Sequence, residues 1–146
     1  MTPKIPVSVL VVIHTPARDV LLLERADQRG FWQSVTGSLD ALDEPLAHAC
    51  AREVREETGL ARPPGDFVDW QLSHRYPIYA HWRHRYAAGV THNREHVFGL
   101  VVSARFEPRL AAREHVAFAW WPWRDAADRA FSWTNAQAIR RLGELA

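Results

Sequence analysis

Three glutamates, Glu53, Glu56 and Glu57, stand at i, i+3 and i+4 in the stretch GSLDALDEPLAHACAREVREETGL, which runs from Gly37 to Leu60. On a helix that spacing stacks the three carboxylates on one face. Like charges so placed repel, so the arrangement costs stability unless a cation sits among them. At roughly 100° per residue, Leu46, Ala47, Cys50 and Val54 form the apolar stripe, with Glu53 and Glu57 at or beside its edge. Glu44, His48, Arg52 and Arg55 take the opposite, wet side, so that Arg52 shares no face with Glu53. The plain alternative is an ordinary acidic amphipathic helix, but its acids would sit with that second group. Carboxylates brought to the buried border suit a hard cation, Mg²⁺, Mn²⁺ or Ca²⁺.

The run Arg52-Glu53-Val54-Arg55-Glu56-Glu57-Thr58-Gly59-Leu60, with Glu44 eight positions before Arg52, resembles the Nudix box, G-x5-E-x7-R-E-U-x-E-E-x-G-U, where U is aliphatic. There is one departure: Gly37 lies seven residues before Glu44, where the pattern asks for six. Either the loop from Ser38 to Asp43 carries an extra residue, or Asp43 replaces the first acid and the helix starts late. Pro45 fits the first helical position after Glu44 and favours the extra residue.

The resemblance implies an α/β fold, an α/β/α sandwich with a mixed sheet, as a single domain over 1–146 with its box at 37–60. It also implies Mg²⁺-dependent cleavage of a diphosphate linkage, with Mn²⁺ as a possible substitute. Glu53 and Glu57 match the family's principal metal ligands, and Glu56 is a third ligand or the base. The Gly37 carbonyl is a further ligand, and Arg52 braces the loop or pairs with Glu56. Glu114, in Arg113-Glu114-His115 ahead of a strand, stands where Nudix enzymes often supply a ligand or general base from outside the box.

The middle of the chain is basic and aromatic, from His74 through Arg75, Tyr76, Tyr79, Trp82 and Arg85 to His96. Arginine forks grip phosphate oxygens and aromatic faces stack on flat rings; the bland account is an exposed strand of alternating charge. Phe31 to Ser38, Arg83 to Asn93, Glu114-His115 and Ser132-Trp133 are similar to the Nudix dihydroneopterin triphosphate diphosphatases of bacterial folate synthesis, in order along nearly the whole chain. That resemblance implies release of pyrophosphate from a pterin triphosphate. It places Lys4, Arg25, Thr36, Tyr76, Pro77, Ile78, Tyr79, His115 and Ser132 at the substrate, with Trp32, Tyr76 and Tyr79 as stacking surfaces. Two alternatives stand beside it. One is a Nudix hydrolase of dinucleoside polyphosphates or RNA 5′ triphosphates, in which Tyr76 matches a tyrosine beyond the box. The other is a catalytically silent ligand sensor, which would be expected to lose box glutamates; Glu44, Glu53, Glu56 and Glu57 are all present.

These side chains sit in 146 residues, 47% hydrophobic and 24% charged, the composition of one globular domain. A formal charge of +1 predicts no general attraction to nucleic acid or membrane. Cys50 is the only cysteine, which excludes an internal disulfide and a cysteine-based zinc cluster. With no targeting segment evident, the expectation is a cytoplasmic protein. Val7 to Ile13 reads as a central strand covered on both faces, followed by strands over Val20–Glu24 and Phe31–Thr36 and a box helix over Pro45–Thr58. Further strands are expected over Phe67–Ser73, Trp82–Ala87, Glu95–Ala104 and Val116–Trp121. A short helical piece opens at Pro122, and a last helix, capped by Thr134 or Asn135, runs to about Glu144.

Overall fold

The β-branched run near the N-terminus forms β1 (Val7–His14), whose interior positions are buried in unbroken succession, so it is covered on both faces. The computed structural model describes residues 2–145. After β1 come β2 (Asp19–Arg25), β3 (Trp32–Gln33), β4 (Val35–Ser38), α1 (Leu46–Thr58) and β5 (Val68–Pro77). The chain continues through β6 (His92–Val101), β7 (His115–Pro122), α2 (Trp123–Arg129) and α3 (Trp133–Arg140). β1 pairs parallel with β6 and antiparallel with β2 and β4. β3 and β7 add antiparallel to β2, and β5 to β6, which makes the sheet mixed.

Alternation along β1 and β2 supplies two cores. Val9, Val11, Ile13, Leu21 and Leu23 meet Ala49, Cys50 and Val54 of α1. Leu10, Val12, Val20 and Leu22 meet Ala126 and Ala127 of α2 and Ala138 and Ile139 of α3. The expected α/β/α sandwich follows from that split. Among the described residues no helix is long and apolar enough to cross a membrane.

α1 begins at Leu46 rather than at Pro45: the proline expected at the first helical position is extended and stands at the N-cap, with no side-chain cap. It ends where Gly59 turns left-handed (φ 77°) and donates its N–H to Arg55 O, a conformation glycine adopts at little cost.

The strands expected over Phe67–Ser73 and Glu95–Ala104 form with shifted bounds, as β5 and β6, and three other expected elements differ more. Phe31–Thr36 is not one strand: Ser34 donates its backbone N–H to Asn135 Oδ1 (2.8 Å), which separates β3 from β4. Trp82–Ala87 is not a strand: Ala80–Arg85 winds into a 3₁₀ helix, in which Trp82 donates to Tyr79 O and Tyr86 to Arg83 O. Its alternating charges imitate strand periodicity, but Tyr79, His81 and Trp82 gather their rings on one side of a turn. The cap of α3 is Ser132 rather than Thr134 or Asn135; its Oγ accepts the Asn135 N–H (3.2 Å), and α3 gives way to a 3₁₀ turn at Arg141–Gly143.

Candidate active site

β4 and α1 meet at one point of close approach. A Cβ on Gly37 would overlap the Glu53 carboxyl, so glycine there is what lets the helix carry Glu53 against the strand. Glu53 is 9% exposed and Glu57 only 1%. Burial pushes both carboxyls above the usual range, and the neighbouring Glu53 raises Glu57 further. Glu57 Oε1 has no hydrogen-bond partner, an expensive state for a buried oxygen. Glu57, Glu114 and His115 present ligand atoms that all lie within 4.8 Å of one another. His115 Nε2 is 3.8 Å from Glu57 Oε1. Burial and Arg25 depress its pKa to about 4, so the ring is neutral and the contact is not an ion pair. Hard oxygens, an orphaned buried acceptor and a neutral imidazole make a donor set that fits a divalent cation.

Arg52 orients this group. It donates to both oxygens of Glu44 (Nε 3.0 Å, Nη2 3.1 Å), to Ser38 O (3.1 Å) and to Glu53 Oε1 (2.7 Å). The expectation that Arg52 and Glu53 share no face is therefore wrong. Their Cα positions do diverge by a residue's rotation, but the long guanidinium stem folds back across that angle. Glu56, the partner expected one turn on, also pairs with Arg52, at 3.7 Å and more loosely than Glu44 or Glu53. Glu44 also accepts the Asp40 N–H (2.8 Å), so the loop absorbs the extra residue and Glu44, not Asp43, holds the brace. Glu56 is exposed and faces the same cleft as Glu53 and Glu57.

That cleft encloses about 700 Å³. Lys4, Arg25, Thr36, Tyr76, Tyr79 and Ser132 line it, as does His115. Pro77 and Ile78 do not line it: Pro77 closes the β5–β6 ladder opposite His92, and Ile78 is buried with its N–H on Thr91 O. Several lining groups are already engaged. Arg25 grips Asp27 with both arms (2.8 Å each) and lies 4.5 Å over the Trp82 ring. Thr36 donates its hydroxyl to Val9 O (3.0 Å) and so offers a ligand only an acceptor. Tyr76 Oη accepts from Asn93 Nδ2 (3.0 Å).

Trp32 stands outside the cleft, edge-on to Trp121 at 5.0 Å, which removes it as a stacking surface. The aromatic wall is Tyr79, Trp82 and Phe131, with ring centroids 5.3 to 6.4 Å apart. Phe131 carried no signal in the sequence. The floor was also missed: Ser8, Asn93 and Glu95 are buried polar residues, and only Ser8, a lone hydroxyl in the apolar run of β1, carried a clue in the sequence.

A family profile described as the NUDIX domain matches residues 4–142. The chain belongs to the Nudix family. Its relatives include the dihydroneopterin triphosphate diphosphatase of Escherichia coli (strain K12), 40% identical over 142 residues, 95% of this chain and 93% of the relative. The enzyme of that name from Haemophilus influenzae is 38% identical over 137 residues, 92% of this chain and 85% of the relative. Among solved structures, that of the E. coli dihydroneopterin triphosphate pyrophosphohydrolase superposes with a TM-score of 0.88 at 39% identity, over 97% of both chains. The mixed-sheet α/β architecture described above is thus a Nudix fold.

Proposed function

We propose that this chain hydrolyses dihydroneopterin triphosphate, releasing pyrophosphate and leaving dihydroneopterin monophosphate. The identity over nearly the whole chain supports that substrate. The observation that carries the reading is that one cleft holds both a metal-fitting acid cluster and an aromatic wall. A polyphosphate and a flat bicyclic ring need those two surfaces side by side.

Glu53, Glu57 and the Gly37 carbonyl would hold Mg²⁺, with Glu56, Glu114 or His115 completing the shell; Mn²⁺ suits the same donors. Bound there, the ion supplies neutralisation of the polyphosphate and polarisation of the attacking water. Arg52 keeps Glu53 turned toward that position. Glu114 is exposed and, among the described residues, in no ion pair, and it takes the proton from water, with Glu56 the other candidate base. Lys4 meets phosphate oxygens at the cleft mouth, and Arg25 does so insofar as it leaves Asp27. Ser132 and Thr36 offer hydrogen bonds, and Tyr79, Trp82 and Phe131 cover the ring. Tyr76, on which the dinucleoside polyphosphate reading leans, has its hydroxyl turned to Asn93.

Phosphorus NMR of the products, with Mg²⁺ present, tests this directly. Pyrophosphate and a monophosphate are expected. Orthophosphate with a diphosphate, or no turnover at all, would overturn the reading.

A further inference from the structure

The metal end accounts for the orphaned oxygen of Glu57, but the opposite end of the cleft holds two more. Glu95 is 4% exposed and Asn93 2%, and both line the cleft. Glu95 Oε1 and Asn93 Oδ1 are buried without a hydrogen-bond partner. They stand at i and i+2 on β6, so they face the same side of the sheet. Asn93 Nδ2 donates to Ser8 Oγ (2.7 Å) and Tyr76 Oη (3.0 Å), which leaves the carbonyl oxygen free. His74 gives Glu95 no relief: its Nδ1 is 3.9 Å from Glu95 Oε1 and is itself unpartnered, while Nε2 meets Gln137 Oε1 at 2.8 Å. Among the described residues no arginine or lysine pairs with Glu95. A buried carboxylate with no arginine or lysine beside it, next to a bare amide oxygen, is a site for neutral N–H donors rather than for a metal.

Resting on the pterin triphosphate reading of this cleft, we infer that Glu95 is the specificity-determining residue, accepting hydrogen bonds from the 2-amino and adjacent ring N–H groups of a 2-amino-4-oxopyrimidine ring. The pterin ring carries that edge, and so does guanine; adenine does not. Asn93 Oδ1 offers a second acceptor beside it. The geometry across the sheet is consistent. Thr36, beside Gly37, pairs with Leu10, and Ser8 pairs with Glu95, so Thr36, Leu10, Ser8 and Glu95 share one face. From β4 through β1 to β6 is two strand spacings, about 10 Å. The three-carbon chain and phosphates of the substrate span that reach from the ring edge to the acid cluster. Burial raises the Glu95 pKa to about 7, opposed only by the Thr134 hydroxyl, so a ligand with two donors stabilises the carboxylate that burial disfavours.

The test uses non-cleavable α,β-methylene analogues of GTP and ITP, which differ only in the 2-amino group, with dissociation constants from calorimetry in the presence of Mg²⁺. The parent protein should bind the guanine analogue at least ~10-fold more tightly, the worth of one hydrogen bond to a charged acceptor. Glu95→Gln places a donor against a donor and should narrow the ratio to about twofold. Equal binding of the two analogues by the parent overturns the inference without any variant. A Glu95→Gln protein that keeps the ratio, or weakens for both analogues in equal proportion, assigns Glu95 to packing and overturns it too. Hydrolysis of dihydroneopterin triphosphate is followed in parallel. Its failure with the ratio intact sinks the proposed reaction and leaves the ring site standing; the reverse leaves the reaction and removes the site.

Discussion

At the α1 end of the cleft, Glu53, Glu56 and Glu57 come from two turns of one helix, set against Gly37 by a single close approach. At the β6 end, Asn93, Glu95, Tyr76, Ser8 and Phe131 arrive from three strands and the segment ahead of α3. Both ends bury a carboxyl with an unsatisfied oxygen. Their neighbours differ. Glu57 is crowded by Glu53, Glu56 and Glu114, each of which raises its pKa, so the missing partner is a cation. Glu95 is raised by desolvation with no acid beside it, so neutral N–H donors suffice. The same side chain, equally buried, is tuned to two ligands by what stands next to it.

The largest test of that contrast is Glu57→Gln. Removing a principal ligand should cost at least ~10²-fold in turnover, about 2.7 kcal/mol of barrier. Relief of carboxylate crowding should leave the metal-free variant as stable as the parent or more so. Near-parental turnover would dissolve the metal end as described.

Glu114→Gln comes next, with a loss of about 10²-fold if the loop acid is the base. A Mg²⁺ titration separates the roles: an unchanged requirement marks a base, a raised one marks a ligand. If neither turnover nor requirement moves, Glu114 is a bystander and Glu56 inherits the proton.

A smaller effect sharpens the electrostatics. Glu53 and Glu57 have folded-state pKa values raised above their unfolded ones, so the native state holds protons that the unfolded chain releases. Their contribution to stability is present at low pH and is lost as pH rises through the folded values. His115, depressed to about 4, works the other way below its ordinary value of 6.5. Glu95, raised to about 7, acts with the other two acids. The melting temperature of the metal-free protein should fall as pH rises through the folded values of these carboxyls, by about 2–4 °C for each kcal/mol lost in a chain of this size. Glu57→Gln should flatten the slope, and Mg²⁺ binding should release protons, seen as a buffer-dependent binding enthalpy. A slope that is the same in parent and variant would place the protons elsewhere.

What was legible in the sequence follows the same division. Helical spacing is local, so the acids of α1, the glycine stop at Gly59 and the burial of β1 could be placed from their neighbours in the chain. The brace between Arg52 and Glu53 was missed because rotation about the helix axis says nothing of how far a guanidinium stem reaches. Distant contacts hid the rest. Nothing near Ser34 shows that Asn135 will take its N–H and split the third strand. Nothing near Trp82 shows that its alternating charges belong to a 3₁₀ turn facing Phe131. Glu95 was expected as the first residue of a strand, and nothing near it shows that α3 will bring the Thr134 hydroxyl against it.

The central claim is that one cleft joins a metal-held triphosphate to a pterin ring. Side-by-side kcat/KM values for dihydroneopterin triphosphate, GTP and diadenosine tetraphosphate, with Mg²⁺ saturating, test it most directly. The account predicts that the pterin triphosphate is preferred over GTP by at least ~10-fold, a difference of roughly 1.4 kcal/mol in transition-state binding. Rates with diadenosine tetraphosphate equal to or above those with the pterin would contradict it.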